Sequence, residues 1–117
     1  MPPTGPRLEP QSFAKHFNEA LILSALERGT KHGYQLALEI EERSEGNFGF
    51  KHGTLYPILH KLEKDGLIHG TWSEGGPKGR RKQYQLTNEG SRYLQDLREG
   101  WGRFLDRFLD VIGKEES

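Results

Sequence analysis

The sequence predicts a mainly α-helical fold with a small β-wing: a winged helix-turn-helix followed by a long C-terminal helix. Two observations predict it. Apolar residues recur at helical spacing in four segments, and between the third and fourth the spacing changes to the alternation typical of half-exposed strands. The 117 residues are enough for one domain with an extra helix at one end.

The first two helices follow a proline-rich start. Residues 1–10 contain four prolines and a glycine, which predicts a flexible N-terminal arm. The run from Ala20 to Leu26 is apolar on nearly all sides, so we expect a buried first helix that ends at Gly29. A second helix opens at Gly33, and the glycines of residues 46–49 break it.

The third helix has one apolar face and one basic face. The apolar face is formed by Leu55, Ile58, Leu59 and Leu62. The opposite face carries Tyr56, His60, Lys61 and Lys64. Pro57 is tolerated near a helix start, which places that start near Gly53 or Thr54, and Gly66 is a good terminator. A short helix of this kind suits an element that reads a DNA groove.

Two strands and a basic loop follow. Residues 68–72 and 82–86 alternate as half-exposed strands do, and we interpret the glycine-rich residues 73–81 between them as a loop. Thr87 can cap the last helix. Between residues 51 and 82 there are seven basic and three acidic residues, whereas the whole chain has a formal net charge of +0. Positive charge is therefore concentrated in the segment that holds the third helix.

The last helix carries a coiled-coil seam. Apolar residues spaced 3-4-3-4-3 are Leu94, Leu97, Trp101, Phe104, Phe108 and Val111. A second stripe consists of Leu105, Leu109 and Ile112. A helix of about 25 residues is roughly 37 Å long, which outruns the body that the first 86 residues can form. Because nothing left in the chain can cover both stripes, the pattern predicts a partner chain.

These motifs together resemble the PadR family of transcriptional regulators. In chain order they are His32-Gly33-Tyr34, Gly53-Thr54-Leu55-Tyr56-Pro57, Leu62-Glu63 with Gly66-Leu67-Ile68, Trp72, Gly76-Pro77, Arg81-Lys82-x-Tyr84-x-Leu86-Thr87-x-x-Gly90 and Trp101. The resemblance covers residues 17–105 and is nearest to the small subfamily whose single C-terminal helix forms the dimer. It implies an arm at 1–10, a winged helix-turn-helix at 11–87, a dimerisation helix at 88–113 and a tail at 114–117.

The resemblance also implies a DNA-binding repressor that recognises a palindromic operator as a homodimer. The expected DNA contacts are Lys51, Thr54, Tyr56, His60, Lys61, Lys64, Lys78, Arg80, Arg81 and Lys82. The alternative for these residues is an ordinary solvated surface. The wing could enter the minor groove or follow the phosphate backbone, and the sequence leaves both open.

Trp101 has two interpretations as well. It is either a packing residue of the dimer core or, as in multidrug-binding relatives, the wall of a slot that holds a small aromatic effector. Glu19 and His16 on the first helix are candidates to face the same slot. Gly100 and Gly102 flank Trp101 and depart from a continuous helix pattern, since a mid-helix glycine costs ~1 kcal/mol.

The sequence lacks the motifs that other functional classes require. The chain has no cysteine, no phosphate-binding loop and no nucleophile motif, so we expect neither an enzyme nor a cofactor. His52 and His60 are eight residues apart, which does not match the helical metal-ligand pair, and we expect no metal. No apolar run suits a membrane span, so we expect an intracellular protein, and the family resemblance implies the cytoplasm of a bacterium or archaeon. A winged helix that docks proteins without binding specific DNA stays open as the alternative.

Overall fold

The computed structural model describes residues 10–76 and 79–113. After a 3₁₀ turn at Pro10–Ser12, the elements are α1 (Phe13–Glu27), β1 (Lys31–His32), α2 (Gly33–Arg43), α3 (His52–Lys64), β2 (Ile68–Gly76), β3 (Gly79–Leu86) and α4 (Asn88–Ile112). The four predicted helices are confirmed. The arm at residues 1–9 and the tail at 114–117 lie outside the described residues.

The third helix starts slightly earlier than predicted. Its first residue is His52, which makes Pro57 the sixth residue and places it beyond the first turn. Proline has no backbone N–H, so the Gly53 carbonyl receives no helical hydrogen bond from residue 57. Gly53 is exposed, and water can therefore solvate that carbonyl. Gly66 adopts a φ of +79° just past the helix, the left-handed conformation expected of a glycine terminator.

The sheet has three antiparallel strands in the order β1-β3-β2. The β1 strand, where Lys31 pairs with Tyr84, was not predicted, because two residues are too few to display alternation. The loop predicted at 73–81 is wrong. Ser73 pairs with Arg81 and, after an irregularity, Gly76 pairs with Gly79, so the hairpin extends almost to its tip. Glycines pair through backbone alone, which leaves no side-chain pattern to read.

One core joins all four helices to the sheet. Its fully buried larger side chains are Ile22 and Leu23 of α1, Leu36 of α2, Leu55, Leu59 and Leu62 of α3, Ile68 of β2, and Leu94 and Leu97 of α4. Leu94 and Leu97 are each 0% exposed within the single chain. Their assignment to a dimer interface was therefore wrong, because the chain's own helices already cover them.

The start of α4 is fixed to the segment between α3 and β2. As predicted, Thr87 caps the helix, since its hydroxyl accepts a hydrogen bond of 3.0 Å from the Gly90 N–H. The same hydroxyl donates to the Gly66 carbonyl at 2.7 Å. A Cβ on Gly90 would overlap the Leu67 carbonyl oxygen, so only glycine permits this approach. The direction of α4 is thus set at its first turn.

Candidate nucleic-acid interface

The polar face of α3 points to solvent, as predicted. Lys51, Thr54, Tyr56, His60, Lys61 and Lys64 are all exposed. They lie opposite Leu55, Leu59 and Leu62, which are at most 1% exposed. Lys61 forms an ion pair of 3.1 Å with Asp65, but its side chain is 64% exposed, and such surface pairs are weak. The face is therefore accessible along its whole length, and its role in binding DNA remains a prediction.

Tyr56 packs back toward α2 and is less free than its position suggests. A Cβ on Gly33 would lie 2.8 Å from the Tyr56 hydroxyl oxygen, so this tyrosine closes on the start of α2 and would have to shift if a larger residue replaced that glycine. On its other side the ring stacks on His52, with 5.7 Å between centroids. Tyr56 remains 42% exposed. It therefore joins the two helices and stays partly exposed.

A carboxylate on α3 anchors the wing, which is the hairpin formed by β2 and β3. The Lys82 Nζ donates to Oε1 of Glu63 at 2.7 Å, and the Gly70 N–H donates to Oε2 at 3.1 Å. The hydrogen bond from Lys82 lowers the pKa of Glu63, and the same bond raises the pKa of Lys82. A side chain on Gly70 would overlap Lys82. One carboxylate thus binds both strands to α3.

This contact revises the role of Lys82. We predicted that its ammonium contacts DNA, yet it is held by Glu63 and lies 5.7 Å from the ring centroids of both Trp72 and Tyr84. In this arrangement Lys82 positions the wing and does not extend from it. Sequence reasoning counted it with its basic neighbours because a charge run does not reveal which strand face each residue occupies.

Arg81 faces the start of α2. Its guanidinium carbon is 5.8 Å from the ring centroid of Tyr34, a residue that is 50% exposed. Arg80 belongs to β3, and its side chain lies outside what is described, as does the whole of Lys78. Tyr34 was missed as a site residue, although it belongs to the His32-Gly33-Tyr34 motif that contributed to the family resemblance.

His32 connects the start of α2 to the sheet. The His32 N–H donates to Oε1 of Gln35 at 2.8 Å, so this histidine orders the start of the second helix. Its ring nitrogens lie 3.4 Å from the Lys82 carbonyl oxygen and 3.5 Å from the Gln83 side-chain nitrogen. The start of α2, the exposed face of α3 and the wing therefore form one continuous surface.

A second candidate region surrounds Trp101 of α4. Its indole is edge-on to Phe13 and Phe104, with centroid distances of 5.0 and 5.5 Å, and lies 6.0 Å from Phe17. Its Nε1–H donates to the His16 carbonyl at 3.4 Å. Further ring contacts join Phe17 to Phe48 and Phe104 to Phe108. We call the six aromatic residues of this group the aromatic cluster.

Glu19 and His16 are buried and bonded within the protomer. They are 5% and 8% exposed, and the Glu19 Oε1 accepts a hydrogen bond from the Tyr93 hydroxyl at 2.7 Å. The same oxygen lies 3.1 Å from Nδ1 of His16. Burial and the bond to Glu19 together raise the pKa of the Tyr93 phenol. The carboxylate offered as an effector contact is thus occupied inside the protomer.

Within residues 10–76 and 79–113, no group of three histidine or acidic side chains could hold a metal ion. None of the described helices is both long enough and apolar enough to cross a membrane.

Comparison with known proteins agrees with this architecture. Residues 22–96 match the family described as the transcriptional regulator PadR-like family. A PadR family transcription regulator from Clostridium difficile R20291 has a crystal structure that superposes with a TM-score of 0.67 at 35% identity, over 82% of this chain and 97% of that one. The match therefore covers most of this chain and nearly all of the other.

Two longer relatives share only part of their length with this chain. The crystal structure of Bacillus subtilis PadR in complex with operator DNA superposes with a TM-score of 0.63 at 31% identity, over 68% of this chain and 44% of that one. The transcriptional regulator YqjI of Escherichia coli is 38% identical over 79 residues, which are 68% of this chain and 36% of that protein. The chain thus spans less than half of either.

Proposed function

The chain belongs to the PadR-like family of transcriptional regulators, and from that premise we propose that it represses transcription as a homodimer bound to an imperfectly palindromic operator. Members of this family are DNA-binding regulators and not enzymes. The single observation that carries the proposal is the exposed polar face of α3, held beside the wing by Glu63. In this arrangement α3 enters the major groove of cytoplasmic DNA.

The exposed apolar residues in the C-terminal half of α4 support the proposed homodimer. Leu105, Phe108, Val111 and Ile112 are 50%, 46%, 86% and 60% exposed, an apolar surface that a second copy would bury. A two-fold dimer pairs the same patch on both copies and therefore leaves no open end. It also gives two copies of α3, which suits half-sites about one helical turn apart, ~34–36 Å.

The first test is a mobility-shift titration against the DNA upstream of the protein's own gene, at two salt concentrations. Binding through phosphates weakens steeply with added salt. Lys64→Ala is the test variant and Arg92→Ala, which removes an exposed cation from α4, is the matched control. A larger reduction in affinity on the operator than on random DNA assigns base reading to Lys64, and equal reductions assign phosphate contact.

The wing is tested separately. Neutralising Arg80 and Arg81 together is expected to weaken binding to all DNA sequences and to reduce the salt slope by up to ~0.9 for each phosphate that the variant no longer binds. An unchanged slope would contradict phosphate contact by the wing.

The competing function is protein docking without specific DNA recognition, and the formal net charge of +0 is the observation that favours it. Docking through apolar surface depends little on salt, so the same titration separates the two functions. Binding that is equal on operator and random DNA, together with a salt-independent complex with another protein, would replace the repressor proposal.

We propose finally that a small aromatic compound relaxes repression from a slot formed near Trp101 at the dimer centre. Two aromatic clusters brought together by the far ends of α4 could stack such a compound. It would act only if it favours one spacing of the two α3 helices, and a preference of ~1.4 kcal/mol would change operator affinity tenfold. Trp101→Phe should remove the response and spare DNA binding, whereas disruption of the dimer would show that Trp101 is a packing residue.

A further inference from the structure

Glu63, in the last turn of α3, ties the middle of the wing to that helix. The base of the wing is held by the core, since Ile68 and Tyr84 are 2% and 6% exposed. Farther along the hairpin, the Gly70 N–H and the Lys82 Nζ donate to the two oxygens of the Glu63 carboxylate. Gly70 lies on β2 and Lys82 on β3. One side chain of α3 therefore holds both strands at a level between the buried base and the tip.

Arg81 directly precedes Lys82 on β3, so the same anchor sets its position. The Ser73 Oγ donates to the Arg81 carbonyl at 2.8 Å, which joins the two strands at that level. The guanidinium carbon of Arg81 lies 5.8 Å from the ring centroid of Tyr34, at the start of α2. A movement of Lys82 away from α3 would therefore also move Arg81, a cation of the wing that we propose contacts phosphate.

Recognition by two elements requires that both meet the same duplex at the same time. A wing that is free to move would have to be ordered when DNA binds, and that ordering reduces affinity. We propose that Glu63 is a positioning residue for DNA recognition, which fixes the wing against α3 so that Arg81 and the exposed face of α3 meet one duplex together. This inference rests on the proposed function and assigns Glu63 no contact with DNA.

Glu63 is an anion beside a surface that we propose binds DNA, which makes its removal informative. The hydrogen bond from Lys82 lowers the pKa of Glu63, so the carboxylate is charged at neutral pH. If net charge alone mattered, Glu63→Gln would release the Lys82 ammonium and strengthen binding to phosphates. If position matters, the same variant binds DNA more weakly, because a neutral amide no longer holds that ammonium and the wing can move.

The test is operator binding by the full-length protein over a range of salt concentrations. For each phosphate contact of the wing that Glu63→Gln abolishes, affinity should fall about eightfold at about 0.1 M salt and the salt slope by ~0.9. Glu89→Gln is the matched control, because Glu89 is an exposed carboxylate of α4 that pairs with Arg92 at 3.3 Å, and it should change neither quantity. Unchanged or higher affinity in Glu63→Gln would overturn the proposal.

A second variant disturbs the same contact without changing any charge. A methyl group on Gly70 would overlap the side chain of Lys82, so Gly70→Ala should weaken DNA binding as Glu63→Gln does. Gly49→Ala is the matched control, since a Cβ there would meet nothing within 4 Å. In either disturbed variant, adding Arg81→Gln should cost little further affinity, because the wing has already lost its place. Full additivity of Glu63→Gln and Arg81→Gln would overturn the coupling between them.

Trp72 of β2 reports the position of the wing without DNA. In the Trp101→Phe background it is the only indole of the chain, and Glu63→Gln and Gly70→Ala should each lower its fluorescence anisotropy while circular dichroism stays the same. Unchanged anisotropy in both variants would overturn the fixing of the wing by Glu63. A natural protein that binds no DNA would contradict the proposed function and this inference with it, whereas normal DNA binding by both variants contradicts the role of Glu63 alone.

Discussion

The two halves of α4 carry one continuous apolar pattern and meet opposite surroundings. In the first half, residues 88–100, Leu94 and Leu97 are completely buried by the same chain. In the second half, residues 101–112, Phe108 is 46% and Val111 86% exposed. The alternating spacing of three and four residues along the seam is the same throughout. The two halves therefore share the same apolar spacing and differ only in which surfaces cover them.

The end of the protomer body marks the boundary between the halves. Arg98 binds Glu27 at the end of α1 through two hydrogen bonds of 2.6 and 3.1 Å, which lower the pKa of that carboxyl and raise the pKa of Arg98. Beyond this contact the aromatic cluster covers only one side of α4. The heptad pattern thus predicts that the apolar stripe of α4 is buried by some partner. The length of the neighbouring helices decides which part of that stripe the same chain buries.

The largest expected difference between the halves concerns the unfolding of the protomer. Leu94→Ala should lower the free energy of unfolding by ~2–5 kcal/mol, because it leaves a cavity in a closed core. Leu105→Ala on the same helix is the matched control and should cost the protomer less than ~1 kcal/mol, since that side chain is half exposed. Urea denaturation measures both. Equal decreases would show that the two halves are equally buried in solution.

A second difference concerns the polar contacts of the first half. Tyr93→Phe removes the donor to Glu19 and should lower the free energy of unfolding by ~1.5–3 kcal/mol, as expected for a hydrogen bond to a charged group. The raised pKa of Tyr93 means that the fold favours the neutral phenol. Its contribution is complete below the ordinary pKa of ~10 and disappears as pH rises through the higher folded value. Denaturation followed above pH ~10 should show a larger decrease in the natural protein than in the variant, because burial also raises the pKa of Tyr84, which both proteins contain.

The third difference belongs to the second half and concerns the dimer. Phe108→Ala should weaken self-association by ~2 kcal/mol, about thirtyfold, if each copy buries the exposed half of that ring. The same change should alter circular dichroism little. Sedimentation over a range of concentrations measures the effect, and a full-length protein that stays monomeric at micromolar concentration before any substitution would refute the dimer.

The smallest expected effect compares two glycines of the same helix. A Cβ on Gly102 would meet no other group within 4 Å in the protomer, so Gly102→Ala should raise the free energy of unfolding by ~1 kcal/mol through helix propensity alone. Gly90→Ala, in the first half, should lower it because of the Leu67 carbonyl. A weaker dimer in Gly102→Ala would indicate that two copies of α4 approach closely at this residue.

The surface formed by α3 and the wing follows the same rule as α4. The order of the helices, the apolar side of α3 and the cap at Thr87 were predictable because each depends on residues within one or two helical turns. The short β1 strand, the extended hairpin and the ion pair between Glu63 and Lys82 were not. Glu63 and Lys82 are nineteen residues apart, and no local pattern distinguishes a lysine that anchors a strand from one that faces solvent.

By itself, the sequence determined the helices, the concentration of basic residues on α3 and the wing, and the family, because periodicity and motif spacing are local properties. Tertiary structure alone decided which apolar residues of α4 are core, that Glu19 is bound by Tyr93, and that Tyr34, Tyr56, Trp72 and Arg81 line one concavity. These facts depend on which surfaces meet when separate elements pack. A residue's neighbours in the chain do not fix its neighbours across the core.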